Sequence, residues 1–331
     1  MAKTEVSELA KELCKKYPDH PARSLAKVLV KQCNNAVTLE TARAMIRTCF
    51  GSFGRKYRDK ATSPRKLRKP GHRVQMPKSK AEDWVPFELP ISSGKLGIIS
   101  DMHVPFHCEV ALGSAVEHLK QEKIKCLLIN GDGMDFYSIS RWEKRPSKRD
   151  FMGELKECRL LLQWLRQEFP RIPIIYKLGN HEERWEKWLW EHAPEISEEP
   201  EMGFSTWLHC DKYKIDVIGD QRIIMVGNLP VLHGHELGRS VFNPVNPARG
   251  AYLRAQHTIL ISHHHQTSGH ADTNLFHHET FVWSIGCLCE LTPSYMKVNR
   301  HNHGFAVVEL MKNGDFNVNN LRVLKNGKVR A

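Results

Sequence analysis

The sequence predicts two folded units, a small basic all-α domain followed by a layered α/β domain. Three observations carry that prediction. At 331 residues the chain exceeds the roughly 250–300 residues at which a single hydrophobic core usually stops growing. From Trp84 onward short apolar runs alternate with amphipathic stretches, the pattern of an α/β sheet. The charge is also split. Residues 1–80 hold 20 Lys or Arg against 6 Asp or Glu, and residues 81–331 hold 29 against 31, so the formal charge of +12 belongs to the N-terminal quarter.

The elements follow in order. Residues 5–16 set Leu9, Ala10 and Cys14 at helical spacing, and Pro18 stops the pattern. Residues 22–33 repeat apolar side chains at Leu25, Val28, Leu29 and Val30. Thr38 reads as an N-cap before Ala42, Met45 and Ile46, with Gly51 as the stop. Two helices joined by residues 34–37 are compatible with a helix-turn-helix. Residues 1–52 are therefore read as a helical, nucleic-acid-binding domain. Residues 53–84 combine Pro, Gly, Ser and dense positive charge, the composition of a disordered linker. In residues 85–331, strands are expected at 96–100, 126–130, 172–178, 222–226, 231–232, 258–262 and 280–285. Helices are expected at 109–122, along Leu155, Cys158, Leu162, Leu165 and Phe169, and after residue 182. A β-meander turned at Asn313-Gly314 and Asn326-Gly327 ends the chain.

Composition excludes several classes. With 41% hydrophobic and 26% charged residues, whole-chain disorder and collagen-like repeats are set aside. Nine scattered cysteines, with Cys287 and Cys289 the one close pair, form no disulfide framework or CxxC zinc pair and point to a reducing compartment. The N-terminus lacks an apolar signal stretch, and no run approaches the ~18 apolar residues of a membrane span. The expectation is a cytoplasmic protein with no membrane partner.

The chemistry sits at the strand ends. The strand at 96–100 runs into Asp101-Met102-His103, and 126–130 into Gly131-Asp132-Gly133-Met134-Asp135. The strand at 172–178 runs into Gly179-Asn180-His181-Glu182. Two later strands run into His233-Gly234-His235 and Ser262-His263-His264-His265. Ligands of open α/β sheets bind beyond the carboxyl ends of strands, so these clusters converge on one site. Carboxylate, imidazole and amide donors without a thiolate suit first-row divalent ions. Seven such groups exceed one tetrahedral shell, and a shared carboxylate lets them hold two ions roughly 3.5–4 Å apart.

These five motifs, in this order, resemble the calcineurin-like metallophosphoesterase superfamily, with its D-x-H, GDxxD, GNH[D/E], lone His near Gly, and GHxH. The resemblance covers about residues 95–310 and departs at Ser262, where the family has Gly. It implies an α/β/β/α metallophosphoesterase sandwich. It also implies that Asp101, His103 and His265 hold one ion, that Asn180, His233 and His263 hold a second, and that Asp132 bridges them. Mn²⁺ is the ion expected, with Fe and Zn as alternatives. Such ions lower the pKa of water from 15.7 to about 7, so the resemblance implies metal-bound hydroxide as the nucleophile, with His181 protonating the leaving oxygen and Asp135 orienting His181.

Other residues are read beside these. His264, between two ligands, faces away by strand alternation and is structural. His235, Arg141 and Arg145, with Lys148 and Arg149 nearby, are candidates for phosphate contact. Trp185, Trp188, Trp190, Tyr137 and Trp142 are read as packing residues rather than base-stacking ones. Phe136-Tyr137 and Leu178-Gly179 stand where Ser/Thr protein phosphatases carry Arg-Gly, which argues against that branch. Gly286-Cys287-Leu288-Cys289-Glu290, with Pro293, Tyr295 and the basic N-terminus, resembles phage-encoded, nuclease-like members. The expected activity is phosphodiester hydrolysis in DNA or RNA, with residues 1–80 binding the nucleic acid by charge. Two alternatives stay open: a phosphomonoesterase or small-nucleotide phosphodiesterase in which the basic segment is a tether, and a nucleic-acid-binding accessory protein.

Overall fold

The computed structural model describes residues 3–17, 20–50, 77–81, 83–141, 147, 149–219, 221–238, 240, 245–293 and 296–331. The expectations at Pro18, Gly51, Trp142, Arg145, Lys148 and Tyr295, and for the linker up to residue 76, lie outside the described residues. The chain divides into two compact units, Met1–Ala81 and Glu82–Ala331.

The first unit holds three helices, α1 (Lys3–Lys16), α2 (Ala22–Gln32) and α3 (Leu39–Phe50). Each presents one apolar stripe to a shared core: Val6, Ala10 and Leu13, then Leu25, Ala26 and Leu29, then Ala42 and Ile46. Thr38 starts α3 by accepting the Thr41 N–H on Oγ1 at 3.2 Å, which satisfies one of the donors that a helix start leaves unpaired. Between α2 and α3 the chain turns through Asn34 and Asn35, with φ of 49° and 60°, a region that Asn enters more readily than most residues.

The second unit is built on two sheets. One is seven-stranded, in the order β13-β12-β11-β2-β3-β4-β5. Its parallel half is β2 (Gly94–Ile99), β3 (Cys126–Asn130), β4 (Ile174–Lys177) and β5 (Ile215–Ile218). Its antiparallel half is the expected meander, β11 (Gly304–Leu310), β12 (Phe316–Val323) and β13 (Val329–Arg330), turning at the two Asn-Gly pairs. The other sheet is six-stranded, in the order β1-β6-β7-β8-β10-β9. It comprises β1 (Phe87–Glu88), β6 (Ile224–Val226), β7 (Leu229–Val231), β8 (Ile259–Ile261), β9 (Ser268–Thr273) and β10 (Glu279–Ser284).

Alternation along the strands divides the interior. On β3, Leu127 and Ile129 join a core with α4 (Glu109–Gln121) and α5 (Phe151–Glu168), while Cys126 and Leu128 join a core that includes Ile224, Val226, Val231 and Leu260 of the opposite sheet. Strands buried on both faces read as continuous apolar runs, which is why CLLIN is legible as a strand. On the far side of the six-stranded sheet, Ala248 and Ala251 of α8 (Pro247–Ala255) pack on Ile259, Ile261 and Val282. Helices, two sheets and a helix make the α/β/β/α sandwich. The helix expected after residue 182 is α6 (Glu183–His192), and a short α7 (Phe204–Trp207) follows it.

Three strands were not foreseen. β1 and β5 are short, and β9, with the sequence SGHADT, offers no apolar alternation. Pairing with β10 in full register holds β9 at the sheet edge. Among the described residues no helix is long and apolar enough to cross a membrane, and all nine cysteines are free.

Candidate metal centre

Five strands end just before a candidate ligand. Asp101, Asp132, His233 and His263 follow the last residues of β2, β3, β7 and β8 by two positions, and Asn180 follows that of β4 by three. The loops turn sharply there. Asp101, His103, Asp132, His263 and His265 have φ of 51°, 50°, 51°, 68° and 55°. Positive φ is uncommon for residues with a side chain and clusters at functional sites, where packing holds it against its intrinsic cost.

The predicted ligands converge. His265 Nε2 lies 3.2 Å from Asp101 Oδ1 and 3.1 Å from His103 Nε2. Asp132 Oδ2 lies 3.3 Å from His233 Nε2 and 3.9 Å from His103 Nε2, so Asp132 stands between the two halves. Donor atoms of Asp132, His233 and His263 form one group within 4.8 Å, and those of His103, Asp132 and His181 form another. Two candidate metal-binding sites are thus present, the second group including His181, which the resemblance makes the acid and not a ligand. The donor set fits such ions by a separate test. Asp101 Oδ1, Asn180 Oδ1, His233 Nε2 and His263 Nδ1 are buried without a hydrogen-bond partner. More than nine in ten buried polar groups are normally paired, and cations would satisfy these four together.

Electrostatics agrees. Burial alone would raise the carboxyl of Asp132, but His233, His181 and His103 hold it well below the usual carboxylate range. Burial would likewise depress His233, yet Asp132 and Asp101 beside it raise its imidazole to about 10. A divalent ion binds the neutral imidazole and the carboxylate, so its binding would release the imidazole proton.

Hydrogen bonds behind the ligands fix their orientation. His233 Nδ1 donates to the Asn130 carbonyl at 2.7 Å, leaving Nε2 toward Asp132. His103 Nδ1 meets Asp135 Oδ1 at 2.9 Å, a carboxylate–histidine arrangement common behind metal ligands. Asp135 therefore serves two rings, since its Oδ1 also lies 3.3 Å from His181 Nδ1. His181 Nδ1 donates to the Asp135 carbonyl at 2.7 Å. Ser262, the departure from the family pattern, is buried with Oγ 3.0 Å from the Asn130 and His233 carbonyl oxygens, and it accepts from Asn130 Nδ2 at 3.0 Å. It ties the two sheets beneath the site.

The structure brings in residues the sequence reading passed over. Glu182 is buried and accepts from the N–H groups of Asp132 (2.9 Å), Met134 (3.1 Å) and Gly179 (2.8 Å) and from the Tyr176 hydroxyl (2.8 Å). Arg184 donates to His181 Nε2 at 2.7 Å and to the Asp135 carbonyl at 2.9 Å. Its position three residues past His181, in the first turn of α6, was the available signal. Cys289, which the expected donor set leaves out, lies with His103 and His265 in a third group within 4.8 Å. Backbone pairing of residues 287–290 to other loops, invisible to a strand-end search, puts it there.

Of the substrate candidates, His235 is already engaged, its Nε2 2.9 Å from Glu183 Oε1, and Arg141 and Arg149 are exposed. His264 is half-buried, its ring centroid 5.0 Å from that of His263. Trp185 is buried and stacked between Phe151 and Trp188, as a packing role requires, whereas Trp190 is 55% exposed.

A family model described as calcineurin-like phosphoesterase matches residues 94–296, more than half the chain. The chain belongs to the calcineurin-like phosphoesterase family. As a calcineurin-like phosphoesterase with these clusters it is a metal-dependent phosphoric ester hydrolase. Two curated relatives are phage proteins. The Gene 54 protein of Mycobacterium phage L5 is 29% identical over 181 residues, 53% of this chain and 70% of the relative. The Gene 54 protein of Mycobacterium phage D29 is 26% identical over 202 residues, 58% of this chain and 78% of the relative. Among solved structures, Vacuolar Protein Sorting 29 from Cryptosporidium parvum overlays with a TM-score of 0.39 at 13% identity, covering 72% of this chain and 95% of that one.

Proposed function

We propose that this calcineurin-like phosphoesterase is a phosphodiesterase acting on DNA or RNA, with its basic N-terminal segment as the nucleic-acid contact. The observation that supports the hydrolytic part is the grouping of His103, His233 and His263 with Asp132 and of Asp101 and His103 with His265, with buried, unpaired ligand atoms on Asp101, Asn180, His233 and His263. The polyanion part is supported by the 20 basic against 6 acidic residues in positions 1–80, since Lys and Arg gain affinity for nucleic acid by releasing its counterions.

Asp101, His103 and His265 would hold one ion and Asn180, His233 and His263 the other, with Asp132 shared and Mn²⁺ the first to supply. Bound divalent ions provide Lewis acidity and water of lowered pKa. The rest falls to the chain. Asp135 keeps the His181 proton on Nδ1, and Nε2 accepts from Arg184. A phosphoester entering beside α6 offers Arg184 a better acceptor. Released from that guanidinium, His181 Nε2 can take up a proton from solvent and pass it to the leaving oxygen while Nδ1–H stays on the Asp135 carbonyl, the general-acid role worth about 10² to 10⁴ in rate.

The test is a substrate panel with Mn²⁺: single-stranded, duplex and nicked DNA, RNA, p-nitrophenyl phosphate and its bis ester. Cleavage of the diesters is expected. Turnover of the monoester alone would overturn the nuclease reading in favour of a phosphomonoesterase with a basic tether.

A further inference from the structure

The two-ion reading leaves one buried sulfur unused at the centre. Cys289 Sγ lies 3.9 Å from His265 Nδ1, and its sulfur, one nitrogen of His103 and one of His265 are mutually within 4.8 Å, all three residues being buried. Its position is built in. The Leu288 N–H donates to the Asp101 carbonyl at 3.1 Å and the Glu290 N–H to the Phe106 carbonyl at 2.9 Å, which stitches the Cys289 backbone to the loop bearing Asp101 and His103. His303 Nε2 meets the Cys289 carbonyl at 3.0 Å. In the same cluster Asp101 Oδ1 is buried and has no hydrogen-bond partner.

We propose that Cys289 Sγ is a sulfur ligand of the ion held by Asp101, His103 and His265, so that the two halves of the centre differ in chemistry. This rests on the reading of these residues as a metal centre and not on which ester is cleaved. Ligation breaks the S–H bond, sends the proton to solvent and places the sulfur electron pair on the ion, with no change in oxidation state. A thiolate favours thiophilic ions such as Zn²⁺, Co²⁺ or Fe²⁺ over Mn²⁺, whereas Asn180, His233 and His263 offer only oxygen and nitrogen. The centre then takes a mixed pair of ions. Cys287, two residues away, directs its Sγ to the Asn302 carbonyl at 3.6 Å but also lies against His265 and the Cys289 thiol, so it is the competing sulfur that the test must separate from Cys289.

Titration of the full-length protein with Co²⁺, followed by absorption, tests this. The expected result is a near-ultraviolet sulfur-to-cobalt charge-transfer band that saturates with one of two bound equivalents. The band should vanish in Cys289→Ser while the visible cobalt bands persist, and it should survive in Cys287→Ser. In competition, Cys289→Ser should weaken Zn²⁺ binding by about 10-fold or more and weaken Mn²⁺ binding less, so that the preference shifts toward Mn²⁺. Visible cobalt bands without a sulfur band in the wild type would overturn the proposal while leaving the metal centre intact. A protein that binds no cobalt would overturn both, and loss of the band in Cys287→Ser alone would refute the assignment. Should Cys289→Ser fail to fold, the wild-type and Cys287→Ser spectra still decide.

Discussion

Glu182 occupies the last position of the GNH[D/E] motif, and at the residue scale it shows what a motif does and does not disclose. Its carboxylate takes hydrogen bonds from three backbone N–H groups and a tyrosine hydroxyl, pinning the Asp132 loop to the Asn180 loop. Glu182→Ala strands those donors in a buried setting, so the protein should lose about 3 kcal/mol or more of stability, measurable by urea unfolding. The ligands themselves behave differently. Asp132→Asn should abolish turnover and lower the number of ions bound, as read by metal analysis after gel filtration. Near-normal turnover in that variant would sink the dinuclear reading. His181→Ala should slow hydrolysis by about 10² to 10⁴ with its ions retained, so metal loss would contradict an acid role. The seven candidate donors and His181 could be named from the sequence because each sits at a fixed offset in an ordered motif. Cys289 could not be, because nothing in its local sequence says that it reaches the site and only the stitching of residues 287–290 places it there; Arg184 offered one signal, its place three residues past His181 in the first turn of α6.

At the scale of elements, the loops are shaped by close approach. A Cβ at Gly179 would meet the backbone N of Asp132 at 2.6 Å and the Cα of Gly131 at 3.0 Å. Gly179→Ala should therefore push the two loops apart, costing about 1–3 kcal/mol and weakening ion binding before it unfolds the domain; unchanged affinity by calorimetric titration would show that the loops can give. Beneath the site, Lys177 at the end of β4 is fully buried and 2.8 Å from Glu236. Burial would raise the Glu236 carboxyl, but Lys177, His235 and His233 hold it down at about 2. A carboxyl depressed in the folded state stabilises above its unfolded pKa near 4.5, and that contribution fades as pH falls from there toward 2. Glu236→Gln should accordingly flatten the acid limb of a stability–pH curve over that window. Strands such as β3 were readable from continuous apolar runs. β9 was not, since its only reason to be extended is its neighbour β10.

At the scale of the whole molecule, the charge split separates two tasks. Residues 82–331 form one of two compact units and carry every candidate ligand. A chain lacking residues 1–80 should still hydrolyse a small activated diester, while its affinity for nucleic acid falls and the salt dependence of binding becomes shallower. An unchanged salt slope by fluorescence anisotropy would exclude the basic segment as the contact. The α/β class was legible because strands and helices alternate and the core positions alternate with them; the pairing of the two sheets, a matter of contacts distant in sequence, came only from the family resemblance. That pairing has a thermodynamic meaning. The ligands proposed for each ion come from both sheets: Asp101 and His103 follow β2 while His265 follows β8, and Asn180 follows β4 while His233 and His263 follow β7 and β8. On that assignment each ion would be a clasp across the sandwich interface, and occupancy and folding would be linked quantities. Ions at 100 times their dissociation constant would add about 2.7 kcal/mol per site. Chelation should lower the melting temperature in proportion to the logarithm of free metal, and the sheets should come apart more readily in its absence.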